Sequence, residues 1–532
     1  MDSKTITRNQ PISVLIFTIL LFLVSTSTIQ AAQISVEKLK KEAEKALRKG
    51  NFENAEIGFR QWLVVEAQNP DALLGLGCAL LKQSKLAQAY TVANEVIALD
   101  RKSARAYAVR GMALLGSGEV NQARHDFQFA VNINGKESMA IAGLSMIALY
   151  ENRLMDSIQG FRRAIDLDGK EPDYFYYLTQ AATRGKQYGI AAEALDRFLH
   201  LAPQTDEERR ARMRGQVELL RFLGKQTRVY ETVGEEKSST TFEIVSNRPI
   251  LKIRINGRKE PLRFVLDTGS HMTVISDEAA KRLKIKPVAK GGKGRGIGGY
   301  FNIVYGFLHQ LEIGGARIEG LPIFIRPFIQ DAFPVDGYLG TSAIAEFLTT
   351  VDYGAKQLIL TRQTDKQAIQ AQFDSVETGT VLRTTSNGLL SGEVKVEGFE
   401  QPLNFVIDTG ATVSVLSQEI VEKSALKAFR TNEQANVLGA AGIEENVTTL
   451  SIPRLDFGGH VQENVRALVL NLRPINETSG FQQVGIIGGN VLRNFRVTFD
   501  FQRTLVLLEP TKALNSPVKQ NQFFDIVAGI RF

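Results

Sequence analysis

Several residue types and patterns are rare in this sequence of 532 residues. Each of these rarities excludes a class of function. The single cysteine, Cys78, excludes an internal disulfide framework. There are five histidines; His125 and His200 stand alone and lack the neighbours of a metal-ligand set. The net charge of +7 contains no long Lys/Arg block, so nucleic acid is not an expected partner. We therefore expect neither a metal nor a cofactor.

Only the N-terminus carries a long apolar run. Lys4 and Arg8 precede PISVLIFTILLFLV (11–24), and small and polar residues follow up to Ala32. This order predicts a secretory signal peptide over residues 1–32 and an extracytoplasmic (periplasmic or secreted) protein. The cleavage position is imperfect, because an isoleucine or a glutamine falls where a small residue is preferred. The alternative is an uncleaved N-terminal membrane anchor, although the run is short for a span of about 20 residues.

The first half repeats itself. A small residue follows each polar turn at a spacing of 34 (89−55, 123−89, 157−123, 191−157), and each unit has two helical patterns. The positions are Ala55, Ala89, Ala123, Ser157 and Ala191. The period resembles that of the tetratricopeptide (TPR) repeat, and we assign it residues 36–225. The resemblance implies a surface that binds a protein partner; a spacer or a dimerisation element is the alternative.

After a polar stretch, 226–241, read as a linker, short alternating runs and Gly-rich turns replace the helical period. This strand-like pattern covers residues 242–362. After a second polar linker at 363–377, it returns at 378–511. The last residues, 512–532, form a tail that fits no domain. The sequence therefore predicts two β-rich units in tandem.

The two β-rich units are copies of each other. FVLDTGS (264–270) in the first corresponds to FVIDTGA (405–411) in the second. Each then has a Gly-rich turn, an apolar-apolar-Gly stretch and, twelve residues later, an aspartate (352−340 and 500−488). Shared order and spacing indicate a duplication.

These motifs resemble the lobes of retropepsin-like aspartic proteases. The predicted fold is thus multidomain: an α-solenoid of TPR helices followed by an all-β aspartic protease pseudo-dimer. The resemblance implies that Asp267 and Asp408 form one catalytic dyad, which shares a proton and activates water for peptide hydrolysis.

The resemblance also assigns supporting roles. It implies that Thr268 and Thr409 tie the two loops together, and that Gly269 and Gly410 leave room beside the carboxylates. Ser270 differs from its counterpart Ala411, and we expect its hydroxyl to stabilise one carboxylate. The predicted flap residues are Gly296, Gly298, Gly299, Tyr300, Gly439 and Gly442. Basic residues in the first flap, Lys290, Lys293 and Arg295, favour either acidic peptides or plain solvation.

Three functional readings remain open. The first is an extracytoplasmic aspartic endopeptidase that acts on a peptide or protein substrate and recruits a protein through its TPR repeats. The second is a non-catalytic protein-binding scaffold with an inactive protease-like module. In the third, each lobe pairs with the same lobe of another chain. Both aspartates, threonines and glycines are intact, which favours an active site, and the short interlobe link favours pairing within one chain.

Overall fold

The computed structural model describes residues 36–203, 207–328, 334–363 and 379–511. The predicted signal segment, the C-terminal tail and nearly all of the second predicted linker lie outside these residues. None of the helices in these ranges is long and apolar enough to cross a membrane.

The described part of the first half forms eleven helices, five consecutive pairs and one final helix. They are α1 (36–48), α2 (Phe52–Val65), α3 (Pro70–Lys82), α4 (Leu86–Leu99), α5 (Ala104–Ser117), α6 (Val120–Ile133), α7 (Ser138–Tyr150), α8 (Leu154–Leu167), α9 (Pro172–Arg184), α10 (Tyr188–Leu201) and α11 (Glu207–Leu223).

The repeated small residues sit where helices cross. All five positions of the 34-residue repeat are fully buried. A Cβ added at Gly111 would lie 2.7 Å from the ring of Phe127, and one at Gly77 would lie 2.9 Å from Val109. Larger side chains at these positions would push the helices apart. The 34-residue period of small residues therefore reflects the close packing of the helices. The predicted helical-repeat architecture is confirmed.

The first lobe contains, in chain order, the elements that follow. They are β1 (Glu231–Gly234), β2 (Lys237–Thr241), β3 (Glu243–Val245), β4 (Arg248–Ile255), β5 (Leu262–Leu266), β6 (Thr273–Ser276), α12 (Asp277–Leu283), β7 (Pro287–Gly296), β8 (Gly299–Ile313), β9 (Ala316–Arg326), β10 (Gly337–Leu339), α13 (Thr341–Ile344), β11 (Phe347–Asp352) and β12 (Gln357–Arg362).

The second lobe repeats most of this order. Its elements are β13 (Thr380–Thr384), β14 (Leu390–Val396), β15 (Leu403–Ile407), β16 (Ser414–Ser417), α14 (Gln418–Glu422), a 3₁₀ turn (Ala425–Phe429), β17 (Arg430–Leu438), β18 (Ile443–Phe457), β19 (His460–Leu470), α15 (Arg473–Ser479), β20 (Gly485–Ile487), α16 (Gly489–Leu492), β21 (Phe495–Asp500) and β22 (Leu505–Pro510).

The two lobes share strand topology and register. In the first, β10 runs parallel to β5 and antiparallel to β6; in the second, β20 runs parallel to β15 and antiparallel to β16. Val265 faces Tyr338, and its counterpart Val406 faces Ile486. The duplication seen in the sequence is therefore a duplication of fold.

One sheet joins the lobes. Strand β11 of the first lobe pairs antiparallel with β21 of the second, inside a sheet of order β17-β18-β19-β16-β20-β15-β14-β13-β22-β21-β11-β12-β2. The buried hydroxyls of Thr350 and Thr498 meet across this seam at 2.8 Å. The lobes therefore pair within this one chain.

The stretch predicted as a linker, 226–241, is largely structured, which corrects the sequence analysis. Strand β1 pairs with β9, and β2 pairs with β12 at the edge of the shared sheet. An edge strand exposes one side to water. Its polar sequence, KSSTT, therefore resembles a linker although its backbone is paired.

The repeat array packs directly on both lobes, which the sequence did not indicate. The turns that end α5, α7 and α9 contact the second lobe, and Lys186, which follows α9, forms an ion pair with Glu346 of the first lobe at 2.8 Å. Gly116 O accepts from Gln482 N at 2.8 Å, Arg184 Nη2 donates to Thr384 Oγ1 at 2.7 Å, and the Tyr150 and Phe481 rings lie 5.0 Å apart. The array and the lobes therefore form one continuous packed body.

Candidate active site

Each Asp-Thr-Gly loop follows a buried strand at the lobe–lobe boundary. Asp267 comes directly after β5, and its amide donates to Leu339 O at 3.0 Å. Asp408 comes directly after β15, and its amide donates to Ile487 O at 3.0 Å. The apolar-apolar-Gly stretches therefore hold the loops from behind, as their repeated spacing suggests.

The two threonines cross-link the loops. Thr268 Oγ1 donates to Ile407 O at 2.7 Å and accepts from Thr409 N at 3.0 Å. Reciprocally, Thr409 Oγ1 donates to Leu266 O at 2.7 Å and accepts from Thr268 N at 3.1 Å. Both side chains are fully buried. Four hydrogen bonds thus fix the relative position of the two aspartates.

The two carboxylates are buried against each other. Asp267 is 1% exposed and Asp408 0%. Asp408 Oδ1 accepts from the amides of Gly410 at 2.7 Å, Ala411 at 3.1 Å and Gly269 of the other lobe at 3.2 Å. Burial first, and then the nearby Asp267 carboxylate, raise the pKa of Asp408 well above its usual range. The pair can therefore hold one shared proton at pH values where an ordinary aspartate is ionised.

The two glycines are required for space. A Cβ added at Gly269 would lie 2.2 Å from Asp408 Oδ2, and one at Gly410 would lie 2.5 Å from Asp267 Oδ1. Any side chain at either position would therefore displace the carboxylate of the opposite lobe.

Ser270 Oγ donates to Met272 O at 2.8 Å, and its support of a carboxylate stays a prediction. At Asp408, three backbone amides supply polar support, those of Gly269, Gly410 and Ala411.

Two hairpins, flap 1 (β7–β8) and flap 2 (β17–β18), meet at their tips. Ala441 N of flap 2 donates to Ile297 O of flap 1 at 3.1 Å. Gly298 has φ +90°, and a Cβ there would lie 2.5 Å from Gly442 N; a Cβ on Gly439 would lie 2.2 Å from Ile297 O. The tip glycines therefore permit both the turn and the contact between the flaps.

The remaining predicted flap residues lie beside this contact. Gly296 and Gly299 face each other across the end of flap 1. Tyr300 is 46% exposed, and its contact with substrate stays a prediction. Lys290 and Lys293 are exposed, which favours solvation for these two flap cations.

Comparison with known proteins agrees with this geometry. Residues 251–343 and 391–491 match the family model described as aspartyl protease. Both lobes are aspartyl protease-like. The matched segments contain both Asp-Thr-Gly loops and both flaps, and the predicted resemblance is confirmed.

Solved structures similar to this chain include two whose own length is almost completely covered by it. MamA from Desulfovibrio magneticus RS-1 is 23% identical, with a TM-score of 0.23, over 32% of this chain and 97% of that chain. A thermophilic TPR protein of Thermus thermophilus is 17% identical, with a TM-score of 0.30, over 35% of this chain and 99% of that chain. No curated protein matches the chain.

The sequence analysis missed two residues of the aspartyl protease-like lobes. Asn247, 8% exposed, donates to Thr412 O at 3.0 Å and accepts from Arg493 Nη1 at 2.7 Å, which ties the lobes beside the Asp408 loop. Arg326, 6% exposed, lies under the flaps. Neither belongs to a repeated motif, so pattern comparison between the lobes could not find them.

In the described part of the chain, no group of three or more His, Cys, Asp or Glu side chains is placed to hold a metal ion.

Flap 1 rests on the last helix of the array. Buried residues of α11, among them Met213 and Val217, share one apolar cluster with Ala289, Ile303 and Tyr305 of flap 1. The rings of Phe222 in α11 and Phe307 in β8 lie 5.2 Å apart. By contrast, residues 431–434, in the first half of β17 and away from the flap tip, are exposed. The array therefore supports one flap and leaves much of the other in solvent.

We expect Gly215→Val in α11 to loosen flap 1. An added Cβ there would lie 2.7 Å from Lys290 O and 2.8 Å from Gly292 N, and such overpacking costs about 1–3 kcal/mol. Amide hydrogen exchange should accelerate in β7 and β8. The matched control is Gly189→Val in α10, where an added Cβ meets nothing within 4 Å. Equal exchange in both variants would contradict the support of flap 1 by α11.

Proposed function

We propose that this protein is an aspartic endopeptidase with one site built from both lobes. The observation that supports it best is the buried pair Asp267 and Asp408, held by four interlobe hydrogen bonds from Thr268 and Thr409. A lone buried carboxylate would be costly, and two that share a proton form the acid–base pair of peptide hydrolysis.

In the proposed mechanism the ionised member of the pair takes a proton from a water between the carboxylates. The protonated member donates a hydrogen bond to the scissile carbonyl. Water adds to the carbonyl carbon, and the same two groups then return a proton to the leaving amine. The amides of Gly269, Gly410 and Ala411 offset part of the cost of negative charge on Asp408.

The proposed recruitment function belongs to the repeat array. Two observations favour it. The array has a helical-repeat fold, and its helix α11 packs against flap 1, so the array lies next to the predicted substrate-binding cleft. The export proposal rests on the order of residues in 1–32 alone.

A cleavage assay tests the proposal. Full-length protein is incubated with a diverse peptide library between pH 3.5 and 7.5, and products are identified by mass spectrometry. Cleavage at a defined preference is the expected result. No cleavage under any condition, with the fold intact, would support the non-catalytic scaffold instead.

The proposal also predicts the pH dependence. Because the pKa of Asp408 is raised by burial and by Asp267, the singly protonated dyad persists above the ordinary range of an aspartate. We expect kcat/KM to be highest under acidic to mildly acidic conditions and to fall as pH rises through this raised pKa, where the shared proton is lost. A profile of kcat/KM against pH that still rises above neutrality would contradict a shared proton.

The free energy of unfolding should also decrease as pH rises. The folded protein retains a proton on Asp408 that the unfolded chain has already released, so the free energy of unfolding should decrease as pH rises between these two pKa values. Asp408→Asn cannot titrate at this position, and its unfolding should depend less on pH over the same window.

A further inference from the structure

The turn between β3 and β4 in the first lobe corresponds to the turn between β13 and β14 in the second. Register relates Asn247 in the first turn to Gly388 in the second, because each lies three residues before the strand residue that faces Val265 or Val406 (250−247, 391−388). Both have a left-handed backbone, with φ +64° and +87°. Asn247 and Gly388 therefore occupy equivalent places, one with a polar side chain and one with none.

Each turn contacts the Asp-Thr-Gly loop of the opposite lobe, but in a different way. The residues contacted, His271 and Thr412, each lie four residues after the aspartate of their lobe (271−267, 412−408). A Cβ added at Gly388 would lie 2.6 Å from His271 Nδ1. Asn247 Nδ2 instead donates to Thr412 O at 3.0 Å, and both of these residues are buried. At this point the Asp408 loop is held by a side-chain hydrogen bond, whereas the other loop packs against the backbone of Gly388.

A short series of hydrogen bonds connects this contact with the carboxylate of Asp408. Ala411 N donates to Asp408 Oδ1 at 3.1 Å, and Ala411 O accepts from Gly489 N at 2.7 Å. Gly489 also packs against the turn of the first lobe, since a Cβ added there would lie 2.4 Å from Asn247 O. The next carbonyl, Thr412 O, is the one that Asn247 holds. Ala411 is therefore fixed at two successive carbonyls, and its amide is aimed at the carboxylate.

Arg493, which follows α16, fixes the orientation of the Asn247 amide. Arg493 Nη1 donates to Asn247 Oδ1 at 2.7 Å, and a hydrogen bond from a charged donor is stronger than a neutral one. An asparagine side chain has one carbonyl oxygen and one NH₂ group. With the oxygen on the guanidinium, the NH₂ group faces Thr412 O, and turning the amide over would lose both bonds.

We propose that Asn247 is a positioning residue for Asp408: by holding Thr412 O, it keeps the Ala411 amide on the carboxylate and fixes the geometry of the dyad. This inference rests on the proposed function and deepens it, because it adds a turn of the first lobe to the residues that prepare the aspartate of the second. Asn247 acts through the loop and not on the substrate. A misplacement of about 1 Å at a catalytic group costs about 10²-fold in rate, so a bond one step behind the dyad has a measurable effect.

Asn247→Gly in the full-length protein tests the inference, because glycine copies the residue of the second lobe and accepts the left-handed backbone. We expect kcat to fall about 10- to 100-fold while KM stays within about twofold of the wild-type value, since a displaced dyad loses transition-state stabilisation and not substrate binding. The matched control is Asn256→Gly. Asn256 also has a positive φ, +50°, and its Oδ1 accepts from Gln310 N at 3.1 Å within the first lobe. This control should retain the wild-type kcat.

A second measurement requires no turnover. Infrared spectroscopy follows the carbonyl stretch of the protonated dyad against pH, and the dyad signal is the part missing from Asp267→Asn/Asp408→Asn. Losing the Ala411 amide removes a hydrogen bond to ionised Asp408, so the titration midpoint in Asn247→Gly should rise by about one pH unit. The ionisable neighbours of Asp408, which are Asp267 and Tyr353, are the same in this variant. Unfolded molecules would titrate in the ordinary range of an aspartate and could not produce this rise.

Asn247→Asp separates the two halves of the contact. Its carboxylate still accepts from Arg493 but cannot donate to Thr412 O, so kcat should fall as in Asn247→Gly. Wild-type kcat and midpoint in Asn247→Asp would overturn the inference, and so would an Asn247→Gly midpoint equal to that of Asn256→Gly. Cleavage by the wild-type protein is scored separately. A protein that cleaves nothing but shows the raised midpoint in Asn247→Gly would refute the endopeptidase proposal and leave the positioning of Asp408 standing.

Discussion

Asp267→Asn and Asp408→Asn are each expected to lower kcat/KM by about 10³-fold or more, the size of effect seen when a positioned acid–base group is removed. The structure supports equal importance because the two carboxylates lie in one buried pair, with Asp408 also bound to an amide of the other lobe. An asparagine in either place removes the proton that the pair shares. The measurement is steady-state cleavage of the best library peptide, with both variants at matched concentration.

The double variant makes the test sharper. Groups that act as one unit are non-additive, so Asp267→Asn/Asp408→Asn should be no slower than either single variant. Thermal unfolding serves as the control for fold. If one single variant kept substantial activity, the lobes would have to work separately or pair between chains, and the single shared dyad would be refuted.

Thr268→Val is expected to destabilise the lobe pair by about 2–6 kcal/mol. The change keeps the shape of the side chain but removes two interlobe hydrogen bonds, and it leaves the Ile407 carbonyl and the Thr409 amide buried without them. Each such group costs about 1–3 kcal/mol. Thr409→Val should behave alike, because its bonds to Leu266 O and from Thr268 N are the mirror image.

Unfolding of the repeat array and unfolding of the two lobes can be followed separately in this experiment. Its one tryptophan, Trp62, lies in α2 of the array. Tryptophan fluorescence during urea unfolding therefore follows the array, whereas near-ultraviolet circular dichroism of tyrosine also follows the lobes. The circular dichroism midpoint should fall more than the fluorescence midpoint in both threonine variants.

The matched control is Thr350→Val. This threonine is also buried at the lobe–lobe seam, but its hydroxyl makes one bond there, to Thr498 Oγ1, so we expect a loss of about 1 kcal/mol. If all three variants lost the same amount, the threonines of the two loops would have no special role in joining the lobes.

Much of the fold was accessible from the sequence because it is repeated. The 34-residue period fixes where helices must approach closely, and small residues such as Ala89 and Gly111 mark these places. Likewise, two Asp-Thr-Gly loops with the same downstream landmarks predicted two lobes of one fold. Repetition makes such features visible without any knowledge of tertiary contacts.

Other features depend on partners that are distant in the sequence. Strands β1 and β2 looked like a linker because polar edge strands and linkers have similar compositions. The hydroxyl of Ser270 was expected at a carboxylate, and the path of the loop also brings it within hydrogen-bond distance of Met272 O. The side chain alone does not decide which nearby acceptor a hydroxyl reaches.

The sequence by itself determined the repeat array, the duplicated lobes and the two aspartates, since each is marked by local spacing that the backbone must obey. Only the tertiary structure decided how flap 1 rests on α11 and how the lobes share one sheet. These relations join residues that lie far apart along the chain. They arise from how packed surfaces fit, which no local pattern encodes.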